Sequence, residues 1–439
     1  MVKSEGSGGS GASCVGFVAC GASWRAADKV NGWAGRGPTR CARLPRRWSA
    51  RPPSWRRCCV MVGQESTRVD DRVHSTPAPV SSGDGEVAAT PDTPPITRHT
   101  FSFHGCRCSY LACLPDSPPH SPTSSLPPAT PVVCVHGFGA GAFHWKKNLP
   151  ALAAAGHAAY ALDLLGFGDS DMPQPGALAP DGRFRVAYTF EVWGAQIRRF
   201  VERVVMPVAG VSQVALVANS IGCLAALQAA HSERAERKPV APVIAAVTCI
   251  NPSLRMLHVK KRSWLNGIVA PAMIRLLAYR PFATRFFALL RRPRVLRRIL
   301  CTAYAVSNRD GDAAAAAVVT EQLVEEVRRP ALRPGALDVF LAFTAYDHGP
   351  LAEELIAEMA ANTATAPPPR VCILWSERDP WERFHLGHAT FATLPGVSRF
   401  VRLPGLGHCP QDQAPEVVNP LLLELLRELP APLPPPSSA

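Results

Sequence analysis

The chain has 439 residues, of which 47% are hydrophobic and 18% are charged, and its formal net charge is +13 at pH 7. This apolar fraction is ample for a large core and excludes a wholly disordered chain. A positive net charge ordinarily favours nucleic acid or an anionic membrane as a partner. Here residues 1–60 hold nine Arg and two Lys against two acidic residues, so this segment alone contributes +9, and no nucleic-acid binding is expected.

The first 60 residues are rich in Arg, Ser and Ala, poor in acids, and contain no long apolar stretch. This composition predicts an organelle transit peptide, and we interpret residues 1–60 as a leader. The alternative is a secretory signal with residues 14–22 as its apolar region, but that run is short and an arginine cluster follows it. Residues 61–96 are rich in Pro, Ser, Thr and Asp without periodicity, which predicts a disordered linker. No run in the chain reaches the about 18 apolar residues that span a bilayer.

Strands and helices alternate along the rest of the chain. Two short runs around Gly105 predict a hairpin, and the later segments alternate between β-branched runs and helical spacing. The predicted strands are 100–103, 106–114, 132–135, 158–164, 213–217, 243–250, 370–375 and 398–403. The predicted helices are 142–155, 190–205, 221–231, 383–394 and 415–429. This order predicts an α/β fold with a mainly parallel eight-stranded sheet that helices cover on both faces.

The predicted core is interrupted twice. The Pro- and Ser-rich residues 115–131 cannot form a central strand or a helix, and they predict a surface loop. Residues 252–369 have a helical pattern and follow the sixth strand, so we expect a helical lid over the carboxyl edge of the sheet, where ligands bind in such folds. The core accordingly has two parts, 97–251 and 370–430, and residues 431–439 are expected to form a disordered tail.

The apolar run before residue 218 stops at the sequence ANSIG, residues 218–222, and an alanine-rich helix follows. A strand, a small-x-Ser-x-Gly turn and a helix in this order predict a nucleophile elbow, in which a strained turn holds the serine above the sheet. We therefore expect Ser220 to be a nucleophile. The backbone N–H of Ile221 is then one predicted donor of an oxyanion hole.

A serine nucleophile needs a base, and the base needs an acid that orients it. After an elbow serine the acid follows in chain order and the histidine comes last. Asp379 and His408 each come directly after a predicted strand, so both are expected at the carboxyl edge of the sheet beside Ser220. Asn251 follows predicted strand 243–250, whose end is the other place where a triad of this kind can hold its acid. An asparagine cannot ionise, so it does not fill that role. We therefore predict a catalytic triad of Ser220, Asp379 and His408.

The loop after strand 132–135 reads HGFGAG. Its three glycines let the backbone turn inward, and the N–H of Phe138 is the second predicted oxyanion donor. A glycine-rich loop also suits a phosphate, but this one lacks the Lys-Ser/Thr of a nucleotide loop and the later acidic residue of a dinucleotide site. We expect neither a cofactor nor a metal ion.

Four segments together resemble the α/β-hydrolase superfamily and, more narrowly, the pheophytinases, the plastid enzymes of chlorophyll breakdown. They read DLLGFGDSD at 163–171, NSIG at 219–222, RDPW at 378–381 and GHCP at 407–410, the last followed by PEVVN at 415–419. The first segment is shared across the superfamily, whereas the last two are more specific. The resemblance covers about residues 97–429 and is loose within the predicted lid.

The resemblance implies that Ser220, Asp379 and His408 are the nucleophile, acid and base of an enzyme that hydrolyses the phytyl ester of pheophytin. Two positions depart from the family: Ala218 stands where relatives usually have Gly, and Cys223 where they often have Gly or Ala. The resemblance also implies a chloroplast location, in the stroma or at the thylakoid surface. The implied partners are a pheophytin-like apolar ester and, peripherally, the thylakoid membrane or other pigment-breakdown enzymes.

Phe138, Asn219 and Trp381 are predicted to contact the substrate. The stretch 268–299 is apolar and rich in arginine, and it either lies on anionic lipid or packs on the core with its arginines solvated. A chlorophyll dephytylase, a lipase or esterase acting on another apolar ester, and a non-catalytic pigment-binding protein of the same fold remain alternatives. Epoxide hydrolases and dehalogenases use an aspartate at the elbow, so Ser220 argues against them.

Overall fold

The structure is a computed structural model that describes residues 94–115, 129–209, 213–235, 244–261, 264–306, 313–362 and 367–430. These are called the described residues. The predicted leader 1–60 and the predicted tail 431–439 lie outside them. So do all but the end of the predicted linker 61–96 and most of the predicted loop 115–131.

One sheet of eight strands forms the centre of the described fold. The strands are β1 (Ile96–Phe103), β2 (Cys106–Cys113), β3 (Val132–Val135), β4 (Ala159–Leu162), β5 (Val214–Asn219), β6 (Ile244–Ile250), β7 (Arg370–Ser376) and β8 (Val397–Leu403). Their order across the sheet is β1-β2-β4-β3-β5-β6-β7-β8. β2 runs antiparallel to both of its neighbours, and every other adjacent pair is parallel. The predicted α/β architecture with a mainly parallel eight-stranded sheet is confirmed.

Helices occupy the connections between these strands. They are α1 (Leu149–Ala154), α2 (Phe190–Phe200), α3 (Met206–Ala209), α4 (Ile221–Ala235), α5 (Trp264–Ala278), α6 (Arg280–Leu290), α7 (Pro293–Ala303), α8 (Ala313–Val318), α9 (Glu321–Ala331), α10 (Ala336–Ala345), α11 (Ala352–Ala361), α12 (Phe384–Phe391), α13 (Pro410–Gln413) and α14 (Pro415–Arg427). Among the described residues, no helix combines the length and the apolar character that crossing a bilayer requires.

Side chains of the central strands alternate between two core layers. In β3, Val133 and Val135 join one layer, and Val132 and Cys134 join the other. All four are buried because helices cover both faces of a parallel sheet. The first layer includes residues of α2, α4, α11 and α12, and the second includes residues of α1 and α14.

Helices α5 to α10 form a helical insertion between β6 and β7, at the position where the sequence predicts a lid. The last helix before β7, α11, does not belong to it, because α11 packs directly against α4, with Leu355, Ile356 and Met359 buried. Two adjacent parallel strands need a crossover helix on the face of the sheet, and α11 is that helix for β6 and β7. The predicted lid boundary at residue 369 is therefore too late.

Two other boundaries differ from the sequence predictions. β1 begins at Ile96 rather than at residue 100, because Ile96 to His99 pair with β2 although three of these four side chains are polar. The predicted helix 142–155 is two segments, a 3-10 turn at Ala142–Trp145 and then α1. Pro150 explains the second start, since proline lacks an N–H and is tolerated only in the first turn of a helix.

Candidate active site

Ser220 occupies the turn between β5 and α4 and has a positive φ of 56°. A non-glycine residue in this left-handed region costs about 1–3 kcal/mol and persists only where the surroundings impose it. Here the Ser220 N–H donates to the Ile250 carbonyl at 3.0 Å, and the Ser220 carbonyl accepts from the Cys223 N–H at 3.1 Å. The turn therefore has the strained strand-to-helix geometry of an elbow.

Gly222 lets the first turn of α4 approach β3. A Cβ atom at this position would lie 2.4 Å from the His136 carbonyl oxygen and 2.8 Å from that of Val135, both of them backbone atoms. The approach also brings the loop after β3 against the elbow, where a Cβ on Gly137 would lie 3.0 Å from the Ser220 Cβ. Close packing therefore requires glycine at position 222, whereas at position 137 it leaves a Cβ room only if Ser220 shifts slightly.

Replacing Gly222 by alanine is expected to lower the free energy of unfolding by about 1–3 kcal/mol, because the backbone oxygens that meet the new Cβ cannot move aside cheaply. Urea denaturation measures the change. Gly267→Ala is the matched control, since a Cβ there meets no atom within 4 Å and Gly267 lies within α5. That control should be neutral or slightly stabilising. Equal stability of the Gly222→Ala protein and the unmodified protein would contradict the packing argument.

Asp379 and His408 lie at the carboxyl ends of β7 and β8 and face each other. His408 Nδ1 is 2.6 Å from Asp379 Oδ2, and the side chains are 4% and 0% exposed, respectively. The other oxygen of the carboxylate, Oδ1, accepts the N–H groups of Trp381 and Glu382 at 2.9 Å each. The carboxylate is thus fixed from behind, and its hydrogen bond orients the imidazole so that Nε2 is left for another partner.

Two buried asparagines hold the backbone of His408 beside the elbow. The His408 carbonyl accepts the side-chain amides of Asn219 and Asn251, each at 3.0 Å. Asn219 directly precedes Ser220, so its amide ties the end of β5 to the histidine loop. Asn219 is predicted to contact the substrate; in the structure its side chain is 1% exposed, and its amide donates to the His408 and Ile250 carbonyls, so it positions the histidine.

The helical insertion also contacts the histidine loop. The His408 N–H donates to the Ala303 carbonyl at the end of α7, at 2.6 Å. The Tyr304 hydroxyl donates to the Asp412 carboxylate at 2.6 Å, and the Gln413 amide donates to the Tyr304 carbonyl at 2.9 Å. The position of His408 therefore depends on the insertion as well as on the sheet.

Glu382 is a second buried carboxyl group beside the Asp379–His408 pair. Its side chain accepts the Leu254 N–H at 3.0 Å. Burial and the charge of Asp379 raise the pKa of Glu382 to about 7, although the Leu254 hydrogen bond acts in the opposite sense. Burial by itself would lower the pKa of His408, but the charge and hydrogen bond of Asp379 and the charge of Glu382 outweigh it and raise that pKa above the ordinary imidazole value.

A base must be neutral to accept a proton, so activity should rise with pH as His408 loses its proton. Glu382→Gln removes one cause of the raised pKa, and the acid limb of the kcat/KM profile should move to lower pH. The charge of Glu382 acts on His408 directly, so the acid limb of the unmodified protein belongs to the coupled pair. Glu377→Gln is the control, because Glu377 lies on the surface in an ion pair with Arg402, and its limb should not move. An unchanged limb in Glu382→Gln would show that Glu382 does not act on His408.

The two predicted oxyanion donors are available for a ligand. Neither the Phe138 N–H nor the Ile221 N–H donates to another group among the hydrogen bonds of the described residues. Ile221 is the first residue of α4, where the N–H has no partner within the helix and the helix dipole favours negative charge. Phe138 lies in the loop that Gly137 brings against Ser220. Both N–H groups therefore belong to segments that meet at the elbow.

Aromatic side chains line the approach to the elbow from the helical insertion. The Phe138 ring stacks on Phe343 of α10 with centroids 5.1 Å apart, and it lies 6.2 Å from the Phe340 ring. Phe340 in turn lies 5.3 Å from Phe287 of α6. The half-buried Phe138 thus joins the oxyanion loop to two helices of the insertion. The contacts of Phe138 with the insertion are therefore aromatic.

The two tryptophans near Asp379 differ in their surroundings. The Trp381 ring lies 4.8 Å from the His408 ring and packs partly buried against the apolar cluster of α7 and α9. Trp375 is fully buried, and its Nε1–H donates to the Glu382 carbonyl at 3.1 Å. Trp375 is therefore a core residue, whereas Trp381 covers the imidazole.

The structure thus brings Asp379 and His408 into direct contact and places Ser220 next to the asparagine that binds the His408 backbone. Among the hydrogen bonds of the described residues there is none between the Ser220 hydroxyl and the His408 ring. Phe138 lies in the loop that packs against the elbow, and the Trp381 ring contacts the His408 imidazole.

Sequence reasoning missed Glu382 and the positioning role of Asn251. The signal for Glu382 was its place three residues after Asp379, in the same turn. Asn251 follows a strand end where an acid could lie, and its amide donates to the Ser376 hydroxyl at 3.0 Å as well as to the His408 carbonyl. Nothing in the local sequence indicates these contacts, because the three segments come together only in the folded sheet.

A comparison with known protein families matches residues 132–421 to the alpha/beta hydrolase family. This chain belongs to that family. The match begins at β3 and extends into α14, so it covers most of both predicted parts of the core, the helical insertion and the three positions of the predicted triad.

Solved structures with the same fold include proteins of different activities. An epoxide hydrolase from Vigna radiata is 18% identical, with a TM-score of 0.52, and the match covers 76% of this chain and 98% of that chain. A bacterial membrane phospholipase A is 17% identical, with a TM-score of 0.50 and coverage of 76% and 87%. A bromoperoxidase from Bacillus anthracis is 15% identical, with a TM-score of 0.52 and coverage of 75% and 100%. At these identities the likeness shows the fold alone, so the reaction is argued from the site.

Proposed function

We propose that the protein is a serine ester hydrolase whose nucleophile, base and acid are Ser220, His408 and Asp379. The observation that carries the proposal is the buried hydrogen bond between Asp379 and His408, held beside the elbow serine by the Asn219 amide. A carboxylate on Nδ1 leaves Nε2 as the basic nitrogen, which is what activation of a hydroxyl requires. In the free enzyme such catalytic hydrogen bonds are commonly long or misaligned, and the bond from Ser220 to His408 is expected to form with substrate bound.

In the first half of the reaction the Ser220 oxygen attacks the ester carbonyl carbon and its proton passes to His408 Nε2. The carbonyl oxygen becomes an oxyanion that the Phe138 and Ile221 N–H groups stabilise. When the tetrahedral intermediate collapses, the bond to the alcohol oxygen breaks and His408 returns the proton to that oxygen. The alcohol leaves and the acyl group remains on Ser220.

In the second half a water molecule replaces the alcohol. His408 takes a proton from the water as it attacks the acyl carbon, and the same two N–H groups stabilise the second oxyanion. Collapse breaks the bond to Ser220, whose oxygen regains a proton from His408. Asp379 stays ionised throughout and stabilises the imidazolium each time it forms.

The proposed substrate is the phytyl ester of pheophytin, and the proposed location is the chloroplast. The motif resemblance supports this specificity, and the aromatic cluster of Phe138, Phe340 and Phe343 beside the oxyanion loop suits a large apolar ester. We also propose that the helical insertion acts as a lid, since α6 and α10 contact the oxyanion loop and α7 contacts the histidine loop.

The substrate is tested by giving the purified protein pheophytin, chlorophyll and a simple triglyceride in separate reactions. The pigment products are measured by chromatography, with Ser220→Ala as the control for hydrolysis by other agents. Release of pheophorbide from pheophytin alone is the expected result. Cleavage of chlorophyll to chlorophyllide instead would favour a chlorophyll dephytylase, and cleavage of the triglyceride alone would contradict the pigment assignment while keeping the serine mechanism.

A further inference from the structure

We infer that the solvent-facing side of α5, together with the start of α6, binds an anionic lipid surface. This inference goes beyond the proposed function and does not depend on hydrolysis. The first observation is the charge of the segment: residues 251–309 hold thirteen Lys and Arg and no Asp or Glu. A stretch of this length with a single sign of charge favours an anionic partner.

The second observation is that large apolar side chains are exposed in the same segment. Seven of the twelve exposed large apolar side chains of the described residues lie between Met256 and Leu289. They are Met256, Leu257, Val259, Ile268, Leu276, Tyr279 and Leu289. Single exposed apolar residues are ordinary, but a concentration of them marks an interaction surface.

The exposed apolar residues of α5 share one side of the helix with a cation. Ile268, Arg275, Leu276 and Tyr279, which directly follows α5, have the spacing of a single helix face, and the three apolar side chains are 64%, 42% and 63% exposed, respectively. The opposite side, with the buried Leu277, faces a groove that α10 also lines. Helix α5 is therefore apolar on both sides, and packing within the described fold accounts for only one of them.

Two arginines of this surface have no acidic partner among the described residues. Arg275 and Arg285 are exposed, and neither forms an ion pair with the residues that the structure describes. Arg280 differs, because its guanidinium pairs with Asp338 of α10. Cations left free beside exposed Ile, Leu and Tyr fit an interfacial helix, which inserts apolar side chains between lipids while its cations bind the headgroups.

Other occupants fit this surface less well. A second copy of the chain would bring the same acid-free segment against it, and the like charges would repel. An acidic protein would satisfy the arginines but gives no reason for Ile268 and Tyr279 to be among the most exposed apolar side chains of the described residues. An anionic bilayer accounts for both observations. It would also present an apolar ester beside the insertion, whose Phe287 and Phe340 lead to Phe138 of the oxyanion loop.

The test measures sedimentation of the full-length protein with vesicles of phosphatidylcholine alone or of equal parts phosphatidylcholine and phosphatidylglycerol, without any ester pigment. Two double variants are compared with the unmodified protein. The arginine pair is Arg275→Gln with Arg285→Gln, and the apolar pair is Ile268→Ser with Tyr279→Ser. The control is Arg183→Gln with Leu178→Ser, an exposed pair outside the insertion that makes one substitution of each kind. Residues 1–60 are present in every protein, so their arginines contribute equally.

We expect binding to the anionic vesicles to exceed binding to the neutral ones. The arginine pair should weaken it by about ten- to thirtyfold. The apolar pair should weaken it by about tenfold, and only the arginine effect should shrink when salt is raised. The control should bind like the unmodified protein. Equal binding to both vesicles, no binding to either, or losses no larger than in the control would overturn the inference. Since the assay has no hydrolytic step, a failure here is separate from a failure of the proposed reaction.

Discussion

Ser220→Ala is expected to lower kcat for ester hydrolysis by about 10⁴- to 10⁶-fold, because no other nucleophile is positioned to form the acyl-enzyme. A fluorophosphonate should label the unmodified protein at Ser220 and should not label the variant. The labelling is measured by mass spectrometry and needs no knowledge of the natural ester. It therefore tests the serine mechanism separately from the substrate.

Cys223→Ala is the matched control for the nucleophile. Cys223 lies in the first turn of α4 and is fully buried; burial and the nearby Cys249 hold the pKa of its thiol well above the usual range. A protonated, buried thiol is a poor nucleophile, so this variant should retain its labelling and most of its activity. Labelling that survives in Ser220→Ala but disappears in Cys223→Ala would assign the nucleophile to the cysteine and end the serine proposal.

Asp379→Asn is expected to lower kcat by about 10⁴-fold through the tautomer of His408. The N–H groups of Trp381 and Glu382 both point at Oδ1, so the amide oxygen of the asparagine should take that position and its NH₂ group should face His408. Nδ1 must then accept rather than donate, which leaves the proton on Nε2. A protonated Nε2 cannot take the proton of Ser220.

Two measurements separate this effect from unfolding: the pH profile of kcat/KM, and the midpoint of thermal unfolding. Losing the charge of Asp379 should lower the pKa of His408, because that charge and its hydrogen bond raise it in the unmodified protein. Glu377→Gln, two residues earlier and paired with Arg402 at the surface, is the control and should keep both activity and profile. An Asp379→Asn protein with near-normal kcat would place the orienting acid elsewhere, and Glu382 would be the group to test next.

Much of the fold could be predicted from the sequence because its signals are local. A β-branched run followed by small-x-Ser-x-Gly and an alanine-rich helix dictates the elbow, and the structure places Ser220 in that turn with a φ of 56°. The alternation of strand and helix patterns dictates a parallel sheet, in which the ends of β5, β7 and β8 must lie at one edge. That rule alone put Ser220, Asp379 and His408 at a common edge.

What the local pattern could not predict depends on contacts between distant segments. The boundary of the insertion is one case: α11 has a helical pattern like its predecessors, and only its packing against α4 makes it a crossover helix. The role of Asn219 is another, since its amide is committed to the carbonyls of Ile250 and His408. The sequence of an elbow motif is the same whether the asparagine side chain contacts a ligand or the backbone of another segment.

The amino-acid sequence by itself determined the fold class, the elbow and the identity of the acid and base candidates, because each rests on hydrophobic periodicity and on the chain order of strand ends. Only the tertiary structure decided how the imidazole is held: by Asp379 at Nδ1, by two asparagine amides and the Ala303 carbonyl at its backbone, and by Glu382 through its charge. Hydrogen bonds and burial join residues that are far apart in the chain, and their geometry exists only once the sheet and the insertion have packed together.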